Sequence, residues 1–171
     1  MLENENDDLD LMLSEVGFLY VDADYFDEAI GFFEKSLALD NENMDVLTDL
    51  SYAYEMVNDF ESSVRINNMV LDLDPYSYES WINIGKLYSL QSEYDKAIDA
   101  FEFALTIDDT HNDVYKLKAH CLLLCNREEE AIRILEECSV RNPDDETLYY
   151  ALSECYFSLE QYDKMLEQLD K

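Results

Sequence analysis

The segment Trp81–Asp109, "WINIGKLYSLQSEYDKAIDAFEFALTIDD", decides the fold, because it places Gly85 in the middle of an otherwise helical pattern. A glycine inside a helix costs about 1 kcal/mol relative to alanine, so its position requires a structural reason. Gly85 follows Trp81 by four residues and precedes Tyr88 by three, which is the spacing of one helix face. We interpret Gly85 as the point where two helices cross and where a larger side chain would hold their backbones apart.

The same pattern recurs every 34 residues along the chain. Apolar spacings of three and four within each half of a unit indicate two helices per unit. The large apolar positions of the first halves are Leu13, Leu47, Trp81, Tyr115 and Tyr149. The small positions of the first halves are Gly17, Ser51, Gly85, Ala119 and Ser153. One column of the second halves contains Phe33, Asn67, Phe101, Leu135 and Leu169.

Short polar residues mark the predicted helix starts, because their side chains can accept a hydrogen bond from a free backbone N–H. The predicted caps of the second helices are Asp24, Asn58, Ser92 and Asn126. The predicted caps of the following first helices are Asn43, Ser77 and Asp145. Each unit is therefore predicted to be two antiparallel helices joined by a tight turn.

This arrangement resembles the tetratricopeptide repeat, a 34-residue helix–turn–helix unit with fixed aromatic, small and proline positions. Residues 78–111 match that pattern best, whereas Asn67 stands where an aromatic residue or leucine is usual. The resemblance implies an all-α fold, a right-handed α-solenoid of antiparallel helix pairs (a TPR superhelix). It divides the chain into an acidic segment, 1–9, and a repeat array, 10–171. The predicted repeats are 10–43, 44–77, 78–111, 112–145 and a truncated 146–171.

The chain is strongly acidic, with 41 Asp and Glu against 11 Lys and Arg, a formal net charge of −30. A surface of this sign repels nucleic-acid phosphates and anionic membranes, so we predict neither nucleic-acid binding nor membrane insertion. Residues 1–80 hold 21 acidic residues and only Lys35 and Arg65 as bases, a net charge of −19. A basic partner should therefore be attracted mainly to this half.

The sequence contains no indication of secretion. The N-terminal residues, "MLENENDDLD", lack the basic and apolar regions of a secretory signal, and no apolar run approaches the length of a membrane span. Cys121, Cys125, Cys138 and Cys155 lie in helical patterns without paired spacing, which favours reduced thiols. We therefore expect a cytoplasmic protein.

The few groups that suggest chemistry do not form a catalytic or metal-binding motif. His120 and Cys121 are adjacent, with Cys125 one turn later, but a structural zinc site takes four ligands at paired short spacings. A calcium loop starting at Asp22 would lack the glycine and glutamate that such a loop needs. There is no glycine-rich phosphate loop. We predict no enzymatic activity, no cofactor and no metal site.

By the resemblance, the first helices line a concave groove, and their residues outside the core are the candidate binding residues. The candidates from residues 1–80 mix carboxylates with apolar side chains, which suits an extended peptide carrying Lys or Arg; they are Glu15, Phe18, Asp22, Asp45, Asp49, Tyr52 and Met56. The candidates from residues 81–171 are Asn83, Lys86, Lys116 and His120. We expect Lys86, Lys116 and His120 to lie near one another and to bind a carboxylate.

These observations predict a non-catalytic protein–protein interaction scaffold that binds a basic, partly apolar peptide or protein segment in the groove. Two alternatives stay open. The chain also resembles acidic TPR-type chaperones of secreted or aggregation-prone client proteins. It also fits the regulatory TPR module of a longer protein, because Leu166 and Leu169 would lack a covering helix unless the chain continued or another molecule bound there.

Overall fold

The computed structural model describes residues 2–170, with side chains from residue 9 onward, and every regular element in that range is an α-helix. The described residues form ten helices: α1 (Leu2–Asp22), α2 (Phe26–Leu37), α3 (Met44–Met56), α4 (Phe60–Leu73), α5 (Tyr78–Leu90), α6 (Tyr94–Ile107), α7 (Asn112–Leu124), α8 (Glu128–Arg141), α9 (Glu146–Ser158) and α10 (Tyr162–Leu169).

The helix starts follow the 34-residue period. Helices α3, α5, α7 and α9 each contain 13 residues and begin where the predicted repeats begin, at Met44, Tyr78, Asn112 and Glu146. Helix α1 is longer, with 21 residues, and it includes residues 2–9 of the predicted acidic segment. The first helix of the chain therefore extends about two turns beyond the length that the repeat requires.

Contacts divide the chain into two compact units, one ending at Asn83 and the other beginning at Ile84. In the first unit, α1 packs on α2, α2 on α3, and α3 on α4. In the second unit, α6 packs on α7, α7 on α8, α8 on α9, and α9 on α10. Each unit is thus a series of helical hairpins in which successive helices share a core.

Gly85 leaves room for an aromatic ring. A Cβ atom added at Gly85 would lie 2.5 Å from Cε1 and 2.7 Å from Cδ1 of Phe101, which is fully buried. Gly17 has the same relation to Phe33 in the first unit. The sequence predicted that Gly85 lets two helix backbones approach closely. In the structure, the atoms that a side chain at Gly85 would meet belong to the Phe101 ring.

The predicted caps of the second helices were wrong. These residues have positive φ angles, which is the left-handed backbone conformation; Asp24, Asn58, Ser92 and Asn126 have φ of 61°, 61°, 62° and 56°. The cap lies one residue later, as where Asp59 accepts a hydrogen bond from the Ser62 N–H at 3.1 Å. The residue that follows the left-handed one donates its backbone N–H across the turn. The Tyr25 N–H, for example, donates a hydrogen bond to the Tyr20 carbonyl at 2.8 Å. Such a turn requires one left-handed residue, which short polar side chains tolerate.

The predicted caps of the first helices agree with the structure. Asn43 accepts from the Val46 N–H at 3.2 Å, and Asp145 accepts from the Thr147 N–H at 3.0 Å. Hydrogen bonds from Thr147 are also the main reason why the pKa of Asp145 is lowered. Ser77 accepts a longer bond, 3.4 Å, from the N–H three residues later.

We expect Ser92→Gly to raise the free energy of unfolding by about 0.5–1 kcal/mol, because glycine adopts a left-handed backbone without the steric cost that serine bears. Ser139→Gly is the matched control, since Ser139 lies inside α8, where glycine should instead lower stability. Urea unfolding followed by circular dichroism measures both variants. Equal losses in the two variants would contradict the left-handed assignment at residue 92.

The cysteines are free thiols, as predicted, and Cys121, Cys138 and Cys155 are buried in the helical core. Burial raises the pKa of the Cys155 thiol to about 12, so this side chain stays protonated at neutral pH. Among the described residues, no helix is long and apolar enough to cross a membrane.

Candidate functional site

The carboxylates predicted to bind a partner converge around Asp49 in the first unit. Burial of Asp49, followed by the charges of Asp45 and Asp22, raises its pKa. Asp22 ends α1, whereas Asp45 and Asp49 lie one turn apart on α3, and these two helices are in contact. Among the described residues, no lysine or arginine forms an ion pair with these three side chains. The cluster therefore carries negative charge that the first unit does not balance locally.

Apolar side chains extend this surface along α3. Tyr52 and Met56 are each 45% exposed, and they follow Asp45 and Asp49 at the spacing of one helix face. The Tyr52 and Phe26 rings form a T-shaped contact with their centroids 5.7 Å apart. This contact holds one side of the tyrosine while the rest of the ring remains accessible. We call the surface of Asp22, Asp45, Asp49, Tyr52 and Met56 the α3 surface.

The two remaining candidates on α1 differ in exposure. Glu15 is exposed, whereas Phe18 is half-buried, with its ring centroid 5.2 Å from that of Phe33. Phe18 therefore belongs largely to the core of the first unit. Asn83, the candidate at the end of this unit, is also half-buried.

The basic candidates of the second unit are only partly available. Lys116 forms an ion pair with Asp113 at 2.6 Å and donates a hydrogen bond to the Thr147 hydroxyl at 2.6 Å. Lys86 and His120 are exposed. Because the charge of Lys116 is already balanced, it would contribute less to carboxylate binding than the sequence suggests. The Lys86, Lys116 and His120 group stays a prediction.

Sequence reasoning missed a recurring tyrosine–glutamate contact. The Tyr54 hydroxyl donates to Glu34 at 2.6 Å, and the Tyr156 hydroxyl donates to Glu136 at 2.8 Å. Burial and the neighbouring carboxylate raise the pKa of both tyrosines to about 12. In each case the glutamate lies 20 residues before the tyrosine, on the preceding helical hairpin. These bonds join successive hairpins and leave the α3 surface free.

Within the part of the chain that the structure describes, no group of three or more His, Cys, Asp or Glu side chains is arranged to hold a metal ion.

Comparison with known proteins identifies the repeat. The tetratricopeptide repeat family model matches residues 78–111. The crystal structure of MamA protein superposes with a TM-score of 0.86 at 20% identity, covering 96% of this chain and 90% of that one. Residues 78–111 therefore form a tetratricopeptide repeat, and the described chain has the fold of proteins built from such repeats. The prediction of tandem tetratricopeptide repeats in an all-α solenoid is thereby confirmed.

Two further comparisons concern proteins whose names state a role. The structure of YrrB, described as a TPR protein with an unusual peptide-binding site, superposes with a TM-score of 0.78 at 16% identity, covering 98% of this chain and 86% of that one. N-alpha-acetyltransferase 16, the NatA auxiliary subunit of Homo sapiens, is 34% identical over 77 residues, which are 45% of this chain and 9% of that protein.

The anaphase-promoting complex subunit CDC27 of Saccharomyces cerevisiae is 29% identical over 108 residues, which are 63% of this chain and 14% of that protein. The chain thus spans only 9% and 14% of the length of these two relatives. Together the comparisons support a protein-interaction scaffold, the general role of the tetratricopeptide repeat.

Proposed function

We propose that this tetratricopeptide-repeat protein is a scaffold that binds a basic, partly apolar peptide segment of another protein on its α3 surface. The observation that carries the proposal is the unbalanced cluster of Asp22, Asp45 and Asp49 beside two exposed apolar side chains. A bound Lys or Arg would supply the missing positive charge and would lower the pKa of Asp49 again.

The apolar part of the surface favours the same kind of ligand. An arginine side chain can place its guanidinium over the face of Tyr52 while its charge approaches Asp49. Met56 offers a flexible, polarisable contact to an apolar side chain further along the peptide. The negative charge of this half of the chain attracts a basic peptide before contact, an effect that added salt weakens.

The comparisons support a protein partner without specifying its charge. By their names, the human and yeast relatives are subunits of multiprotein assemblies, and YrrB has a peptide-binding site. The small share of the relatives that the chain matches also favours a second candidate, a binding module within a larger assembly. Both candidates use the same surface in the same way.

The test is binding of a labelled peptide of alternating arginine and leucine residues, measured by fluorescence anisotropy at low and at high salt. Asp45→Lys with Asp49→Lys should weaken binding by about tenfold or more at low salt. Glu61→Lys with Asp72→Lys is the control, because it makes the same change of charge at exposed positions of α4 in the same unit. Equal effects of the two double variants would show attraction by net charge alone and would refute the α3 surface as the site.

A further inference from the structure

Exposed apolar residues form a continuous line along one face of α1. Leu9, Met12, Val16 and Leu19 follow one another at spacings of three, four and three residues, which places them on one face of the helix. Leu9 is 46% exposed, Met12 62% and Leu19 66%, whereas Val16 is half-buried. We call these four residues the α1 seam. Three large apolar side chains exposed in one line are unusual on a protein that is otherwise highly charged.

The equivalent residues of the later repeats show what packs against this face. The residues at the position of Met12 in the four later first helices are 0–5% exposed; they are Val46, Ser80, Val114 and Leu148. The residues at the position of Leu19 are 0–1% exposed; they are Ala53, Leu87, Cys121 and Cys155. In α3, Val46 shares a buried cluster with Ala29 and Phe33 of the preceding helix α2. The α1 seam is therefore the face onto which a helix packs elsewhere in the array.

Charged residues border one side of the seam. Glu15 lies between Met12 and Leu19 along the helix, and Asp22 lies one turn beyond Leu19; both are exposed. The opposite border is formed by Leu13 and Tyr20, which are half-buried, and Tyr20 packs against the core of the first unit. A helix packed on the seam would thus meet carboxylates along one edge only.

We propose that the α1 seam binds an amphipathic helix of a partner protein, with its apolar stripe on the seam and Lys or Arg residues facing Glu15 and Asp22. A partner of this charge is favoured over a second copy, because two copies would bring together surfaces of the same negative sign. From Leu9 to Leu19 the seam is about 15 Å long, enough for roughly three turns of a packed helix. The proposal goes beyond the peptide site, since its apolar contacts are different residues.

The test uses the full chain and a synthetic helical peptide with leucines at alternating three- and four-residue spacings and lysines along one edge. Leu19→Glu should weaken binding of this peptide by about tenfold or more, as expected for a central apolar contact. The added carboxylate would by itself attract the basic peptide, so a loss has to come from the apolar contact. Val140→Glu is the control, because Val140 is 82% exposed and lies on α8.

Circular dichroism should show both variants folded, since both side chains are exposed. An equal loss in Leu19→Glu and Val140→Glu, or no loss in Leu19→Glu, would overturn the proposal. A glutamate version of the peptide that bound equally well would also overturn it, because the charged border would then have no role. Sedimentation that showed self-association of the chain abolished by Leu19→Glu would assign the seam to a second copy instead.

The same titration separates this proposal from the peptide site on α3. Asp45→Lys with Asp49→Lys should affect the helical peptide less than Leu19→Glu does. Conversely, Leu19→Glu should leave binding of the arginine–leucine peptide within about twofold, since exposed residues outside a contact contribute little. If Asp45→Lys with Asp49→Lys weakened binding of the helical peptide more than Leu19→Glu did, the peptide would bind on the α3 surface. The α1 seam would then be refuted as its site.

Discussion

Gly85→Leu should destroy the cooperative folding of the second unit. A Cβ atom at residue 85 would lie 2.5, 2.7 and 2.8 Å from three atoms of the Phe101 ring, closer than real Cβ contacts. The ring cannot move aside easily, because Phe101 is fully buried. Overpacking a core by small groups costs about 1–3 kcal/mol, and leucine adds three further carbon atoms at the same point. We therefore expect Gly85→Leu to lower the free energy of unfolding by more than about 4 kcal/mol. This loss is a large part of the 5–15 kcal/mol that stabilises a typical domain.

Gly31 provides a matched control for the helix propensity of glycine. A Cβ atom at Gly31 would meet nothing within 4 Å. Gly31→Ala should therefore raise the free energy of unfolding by up to about 1 kcal/mol, whereas Gly85→Ala should lower it by about 1–3 kcal/mol. Thermal and urea unfolding followed by circular dichroism compare the two. If Gly85→Ala proved as harmless as Gly31→Ala, the contact with Phe101 would not explain the glycine.

A second substitution tests whether the ring is the cause. The fourth repeat places Ala119 and Leu135 at the positions of Gly85 and Phe101, and both are buried there. Gly85→Ala combined with Phe101→Leu copies that pair. We expect the double variant to lose less stability than the two single variants lose together, by about 1 kcal/mol or more. The reason is that the effects of substitutions at contacting residues are not additive. Additive losses would assign the cost of Gly85→Ala to something other than Phe101.

The period and the helix faces were predictable because they depend only on the spacing of apolar residues. The turn between the helices of a pair was not. Asp and Asn are favoured both as helix caps and at left-handed positions, so Asp24 and Asn58 fitted the wrong role equally well. Only the observed φ of 61° at each residue separates the two. The prediction of a helix start was therefore displaced by one residue.

The candidate site was predictable to a similar extent. Asp45, Asp49, Tyr52 and Met56 share a face of α3 because the helical spacing places them there. The hydrogen bond that holds Lys116 was not predictable, since Thr147 comes from another helix. The α1 seam was missed for the opposite reason. Met12 and Leu19 occupy columns that are buried in every later repeat, so the sequence pattern alone predicts burial of these two residues.

The second repeat uses a polar pair where the first and third use glycine and phenylalanine. Asn67 occupies the column of Phe33 and Phe101, and Ser51 occupies that of the glycines. The Asn67 amide donates to the Ser51 hydroxyl at 2.5 Å and to the Ser63 carbonyl at 3.0 Å. Asn67 and Ser51 are 3% and 5% exposed, so these groups satisfy one another inside the core. The pairing explains why asparagine is tolerated at a position where the repeat usually has a large apolar residue.

We expect Asn67→Phe alone to lower the free energy of unfolding by about 3 kcal/mol or more, because the ring would meet the Ser51 side chain and that hydroxyl would lose the hydrogen bond from Asn67. Ser51→Gly combined with Asn67→Phe recreates the pairs of the first and third repeats and should recover at least about half of the loss. Urea unfolding of the two single variants and the double variant completes a double-mutant cycle. A favourable coupling of about 2 kcal/mol between residues 51 and 67 is the expected result. A double variant no more stable than Asn67→Phe would show that residues further along the core, and not residue 51, decide which side chain fits at position 67.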